Sequence, residues 1–116
     1  MAQAITGFTS MFDGMETVIV PERLDSASAS LFEQEILNRI IHGSHHLVLD
    51  CREIRFMTAA GLRVILAGLR AAKSVEGSLT LSNISGQPRA MIVACGFDHF
   101  IPMRQENAET GMRIVG

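Results

Sequence analysis

Leu47-Val48-Leu49-Asp50-Cys51-Arg52-Glu53-Ile54-Arg55-Phe56-Met57-Thr58-Ala59-Ala60-Gly61-Leu62 is the stretch from which the rest of the chain can be ordered. Leu47-Val48-Leu49 is a short aliphatic run, the pattern of a buried parallel strand. Beyond the polar loop that follows, Leu62, Ile65, Leu66, Leu69 and Ala72 recur at steps of three and four, one apolar stripe along a helix. Thr58 falls at the N-cap of that helix, and Gly77 at a left-handed position after its last turn. A strand followed by a helix is the first half of a parallel crossover.

The pattern repeats on both sides. Downstream, Ser78-Leu79-Thr80-Leu81-Ser82 alternates strictly and predicts a strand with one buried face. Pro88 suits the first turn of a helix over 88–95, which Gly96 ends. Phe100-Ile101-Pro102-Met103 reads as a short extended piece, and the tail from Gln105 as a final helix with Ala108, Met112, Ile114 and Val115 inward. Upstream, Asp25-Ser26-Ala27-Ser28 offers N-cap residues before Phe32, Ile36, Leu37, Ile40 and Ile41, with Ser30 and Glu33 as an alternative capping box. Gly43 and Ser44 close that helix. Earlier still, Asp13-Gly14 predicts a hairpin between arms at 5–12 and 16–20, and Pro21 ends the second arm. The order β-β-α-β-α-β-α-β-(α) requires right-handed crossovers. It predicts an α/β fold, a small mixed and mostly parallel sheet with helices packed against it, in one domain over 1–116.

Composition narrows function mainly by exclusion. Apolar residues make up 47% and charged residues 19% of the chain, and the formal net charge is −2, so no basic excess marks nucleic acid as a partner. Lys73 is the only lysine, the arginines are scattered, and Tyr and Trp are absent, which argues against a base-stacking surface. Met1-Ala2-Gln3-Ala4-Ile5-Thr6 lacks the basic and apolar segments of a signal peptide, and no apolar run nears the roughly 20 residues that span a bilayer. Cys51 and Cys95 form no CxxC pair and fit buried thiols in a reduced, cytoplasmic protein.

Few residues suggest chemistry. Asp50, at the end of its strand, is expected to organise the next loop by accepting backbone hydrogen bonds. His42, His45 and His46 are separated by the Gly43-Ser44 break and complemented by no cysteine pair, so they read as solvated loop residues, not a metal site. Cys51 beside a histidine would be needed for a nucleophile and base, and nothing in the sequence brings the two together. Ser82-Asn83-Ile84-Ser85-Gly86 lacks the glycines and lysine of a phosphate loop. No cofactor, no metal and no catalytic set is expected.

Phe56-Met57-Thr58-Ala59-Ala60-Gly61-Leu62 resembles the signature of the soluble STAS domains, the bacterial anti-sigma factor antagonists, which read Phe-Met/Leu-Asp-Ser-Ser/Ala-Gly-Leu there. Leu24-Asp25-Ser26-Ala27-Ser28-Ala29 is similar to that family's first-helix opening, Leu47-Val48-Leu49-Asp50 to its central strand, and Gly96-Phe97-Asp98-His99-Phe100 to its Gly-Leu-Asp-x-Phe turn. The resemblance implies the STAS fold and a domain that docks onto an anti-sigma factor, usually a serine kinase with a histidine-kinase-like ATP fold. It also implies a switch: the kinase phosphorylates the serine at the start of the second helix, and the complex breaks.

At that place the chain departs from the family. The phosphorylated serine aligns with Ala59, which has no hydroxyl, and the preceding aspartate with Thr58. Either Thr58 is the acceptor, displaced by one residue, or its hydroxyl caps the helix and the domain binds constitutively. A third alternative puts the domain outside sigma-factor control, as an accessory or scaffold subunit such as a component of a phospholipid-transport complex. The partner-binding residues implied are Asp25, Thr58, Ala59, Ala60, Gly61 and Leu62. Small or apolar side chains at 60–62 are expected to let a partner approach the helix end, and Leu62→Glu to abolish capture without disturbing the fold.

Overall fold

The computed structural model describes residues 15–105. Six short strands and three helices alternate along them: β1 (Met15–Ile19), β2 (Arg23–Leu24), α1 (Ala29–Ile41), β3 (His46–Asp50), β4 (Phe56–Met57), α2 (Ala59–Ser74), β5 (Ser78–Ser82), α3 (Gly86–Ala94), a 3-10 turn (Phe97–His99) and β6 (Met103–Arg104). The strands form two separate ladders. One is four-stranded, in the order β1-β3-β5-β6, and the other pairs β2 with β4. Every pairing among the described residues is parallel, as the strand–helix alternation requires.

Register explains the core. Val18, Leu49 and Leu81 lie level across β1, β3 and β5, as do Leu47 and Leu79 across β3 and β5. Their side chains share one face of the pleat. That face packs with Phe32, Ile36 and Ile40 of α1 and with Leu62, Ile65, Leu69 and Ala72 of α2. Each large aliphatic side chain so buried stabilises the fold by roughly 1.5–3 kcal/mol. Two members of the stripe expected on α1 depart from it: Ile41 stands exposed and Leu37 is only half-buried.

The helix ends show why the glycines sit where they do. After α1, the Gly43 amide donates to Ile40 O at 3.1 Å and the Ser44 amide to Arg39 O at 2.8 Å, with Gly43 at φ +106°. This is a Schellman turn, and glycine is the residue that reaches its left-handed corner without strain. Arg39 also pairs with Glu35 and Glu16, and Ser44 donates to Glu16, so the end of α1 is tied to β1.

The same turn closes α2, but the glycine is one place later than its geometry asks. Glu76 takes the left-handed conformation at φ +61°, while the Gly77 amide donates to Ala72 O at 2.7 Å. Gly77 therefore does not serve as the left-handed cap. It is small because a Cβ there would collide with the His45 carbonyl oxygen. A non-glycine residue in the left-handed region is strained by about 1–2 kcal/mol. Glu76→Gly should therefore raise stability by up to about 1 kcal/mol after the added freedom of the unfolded chain is deducted, read as a Tm higher by a few degrees.

Other boundaries differ from the sequence reading for local reasons. α3 begins at Gly86, two residues before Pro88, and Gly96 ends it at φ +77° as expected. Phe97–His99 winds into a 3-10 turn, which delays the last strand to Met103–Arg104. Cys51 is buried, but Cys95 is exposed on the last turn of α3. The hairpin arm at 5–12 and the helical tail lie outside the described residues. No described helix is long and apolar enough to cross a membrane.

Candidate functional site

A two-residue ladder does most to place the site. β2 and β4 pair Arg23 with Phe56 and Leu24 with Met57, so the next residues, Asp25 and Thr58, emerge side by side. The Thr58 amide continues the ladder by donating to Leu24 O at 3.0 Å. Both segments then turn into helices, so the amino ends of α1 and α2 share one edge of the molecule. Leu24 and Met57 are fully buried beneath them, and the Arg23 guanidinium lies 4.7 Å from the Phe56 ring centroid at the rim.

Asp25 organises the start of α1. Its Oδ1 accepts from the Ala27 amide at 3.1 Å and the Ser28 amide at 3.2 Å, while its own amide donates to Ser28 Oγ at 3.1 Å. Ser28 Oγ donates in turn to Arg23 O at 2.8 Å. The reciprocal bonding of two residues three apart is the logic of a capping box, here Asp25 with Ser28 and not Ser30 with Glu33. Desolvation, the largest influence, pushes the Asp25 carboxyl upward. The bonds from Ser28 and Ala27, with Arg23 at 3.4 Å, outweigh it and hold the carboxyl below its ordinary value.

Thr58 occupies the N-cap of α2 with extended backbone (φ −107°, ψ 179°), but its side chain makes no capping bond. Its Oγ1 is buried and meets no hydrogen-bond partner among the described residues. The capping role expected of this hydroxyl is therefore not taken up, and the group is turned away from solvent. A buried unpaired hydroxyl is destabilising, and an apolar group of the same shape removes the penalty. Thr58→Val should hold or raise stability by up to about 1 kcal/mol, measured by urea unfolding, whereas loss of a working cap lowers it by about 1 kcal/mol.

The next four residues divide sharply. Ala59 is exposed and Ala60 half-exposed. Gly61 and Leu62 are buried, which corrects their placement at a partner surface: Leu62 is only 5% exposed and belongs to the core. Gly61 is small for an internal reason. A Cβ there would strike the Leu24 carbonyl oxygen and lie 2.9 Å from Leu24 Cγ, so glycine lets α2 seat against β2. Helical periodicity foretells this, since Leu62 lies on the same stripe as Ile65 and Leu69.

Gln87, which the sequence reading passed over, holds the outer edge of β4. Its Oε1 accepts from the Met57 amide and its Nε2 donates to the Met57 carbonyl, both at 2.9 Å. The side-chain amide thus completes the ladder in place of a third strand. No periodicity or motif signals such a clamp; only the proximity of α3 to β4 does. Gln87→Ala strips both partners from the backbone of buried Met57, and should lower stability by about 1–3 kcal/mol in a denaturation series, with Gln87→Glu intermediate because it retains only the acceptor.

The remaining candidates stay apart. Asp50 Oδ1 accepts from the Arg52 amide at 3.1 Å and shapes the loop after β3 as expected. Burial, helped by the charge of Asp50, pushes the Cys51 thiol up to about 12, which leaves it protonated and unreactive. His42 Nδ1 lies 2.7 Å from Asn38 O, and His46 Nδ1 2.9 Å from Ser78 Oγ. Among the described residues no three His, Cys, Asp or Glu side chains are grouped to hold a metal ion.

The class these features define is an α/β domain built on parallel crossovers, with two helix amino ends presented along one edge. A family model for the STAS domain matches residues 13–110, and the chain belongs to that family. It is 29% identical over 91 residues to the Bordetella bronchiseptica protein named "Putative anti-sigma factor antagonist BtrV", covering 78% of each chain. Among solved structures it resembles TM1081 of Thermotoga maritima (TM-score 0.74, 16% identity, 84% of each chain). It also resembles the anti-sigma factor antagonist SpoIIAA in its unphosphorylated form (TM-score 0.67, 19% identity, 84% of each chain).

Proposed function

We propose that this chain is an anti-sigma factor antagonist-like regulator that captures an anti-sigma factor of the kinase type and is not released by phosphorylation at the family's usual position. The docking face comprises Asp25, Ala59 and Ala60, with Arg23 and Phe56 at its rim. The observation that carries the reading is the exposure of Ala59 at the first position of α2 beside Asp25, with the one neighbouring side-chain hydroxyl on this helix start, that of Thr58, buried. A helix amino end offers amide donors and partial positive charge to whatever docks there. Here the side chain at that end is a methyl group that no kinase can modify. Chemistry is absent from the proposed role; binding is the whole of it, and release depends on the abundance of the partners or on another protein.

The test mixes the full chain with a candidate serine-kinase anti-sigma factor and ATP, then follows co-elution and intact mass. A complex that persists with ATP and adds no phosphoryl group supports the proposal. A phosphoryl group gained by the native chain and lost in Thr58→Val overturns the constitutive reading. Failure to form any complex, with co-purification of a transporter ATPase instead, overturns the sigma-factor assignment.

A further inference from the structure

We infer that the carboxyl-terminal half of α2 and the turn after α3 form a second protein-binding surface, one that takes an acidic segment anchored by a bulky apolar side chain. Leu66, Leu69, Arg70 and Lys73 of α2 line a cavity of about 410 Å³ together with His99 and Phe100. Phe100 is 66% exposed, with its ring centroid 6.4 Å from that of Phe97. A single exposed apolar residue is ordinary. An exposed aromatic ring beside an arginine and a lysine at the mouth of an apolar-floored cavity has the composition of an interface anchor site.

Charge sets the chemistry of the occupant. α2 contains Arg63, Arg70 and Lys73 and no acidic residue, and all three cations are exposed. Among the described residues, ion pairs engage Arg23, Arg39 and Arg55 but neither Arg70 nor Lys73. Lys73 lies in the last turn, where the helix dipole favours a cation. That accounts for Lys73, but not for Arg70 a turn earlier or for both converging with His99 on one cavity. Acidic side chains on a partner would complement this patch, which raises the rate and specificity of docking. Nucleic acid or an anionic bilayer would draw on a broad positive field, whereas this chain has a net charge of −2 and its patch surrounds a cavity suited to a side chain.

The surface begins at Leu66, about two turns from Ala59, and reaches Lys73 near the opposite end of α2, roughly 10 to 20 Å along the helix at 1.5 Å per residue. It therefore stands independently of the capture proposed above.

The probe is a fluorescein-labelled peptide of glutamates with a central phenylalanine, titrated into the isotope-labelled full chain. Amide signals of Leu66, Arg70, Lys73, His99 and Phe100 should shift, and affinity should fall as salt shortens the reach of the charges. Arg70→Glu with Lys73→Glu should weaken binding at least tenfold. Arg52→Glu with Arg89→Glu, which changes net charge equally, should weaken it by less than about twofold, since the effect is local. Circular dichroism verifies that each variant is folded, and Arg70→Gln with Lys73→Gln replaces the reversal if that variant is not. Equal losses in the two double reversals, shifts confined to other residues, or tighter binding to phosphatidylglycerol vesicles or to single-stranded RNA than to the peptide would overturn the proposal.

Discussion

Ala59→Asp should leave the fold intact and lower capture of an anti-sigma partner by at least about a hundredfold. The fold tolerates the change because Ala59 is exposed and the first turn of α2 holds no acidic residue. A carboxylate at a helix amino end stabilises by about 0.3–1 kcal/mol. The interface does not tolerate it, because docking would bury an uncompensated charge at a cost of about 3–5 kcal/mol, and each 1.4 kcal/mol is tenfold in affinity. Co-elution or calorimetry measures the loss, and thermal melting measures the gain. The companion variant Ala59→Ser restores a hydroxyl at the exposed position, and with kinase and ATP it should gain one phosphoryl group and lose its complex. Undiminished capture by Ala59→Asp would remove the end of α2 from the docking face.

Leu62→Glu should unfold the domain. The side chain is 5% exposed and packs in the core, so the substitution loses its apolar burial and forces a carboxylate from water. Such changes destabilise by about 4 kcal/mol or more, a large share of the 5–15 kcal/mol that holds a domain of this size. A broad or absent melting transition is the expected result. A variant that melts like the native chain and merely fails to bind would return Leu62 to the surface.

These two residues show how far the sequence could be read. Aliphatic runs and stripes of period 3.6 are local signals, and they placed β3, β5, α1 and α2 within a residue or two. The turn at Asp50 and the break at Gly43 were equally local. What escaped were pairings made across the chain. The β2–β4 ladder is two residues long, too short for any alternation, yet it brings Asp25 and Thr58 together. Gln87 reaches Met57 across 30 positions of sequence. Gly77 has the look of a left-handed cap, but the need it meets lies at His45, on another segment. The signature around Thr58–Leu62 was legible as a unit, whereas its division into exposed Ala59 and buried Gly61 and Leu62 followed from the seating of α2.

The contrast between the two cysteines has a practical consequence. One thiol is sealed and held protonated, while the other stands on the outer turn of α3. A maleimide dye should therefore attach at Cys95 alone, without mutagenesis. That gives every complex discussed above a single built-in optical reporter.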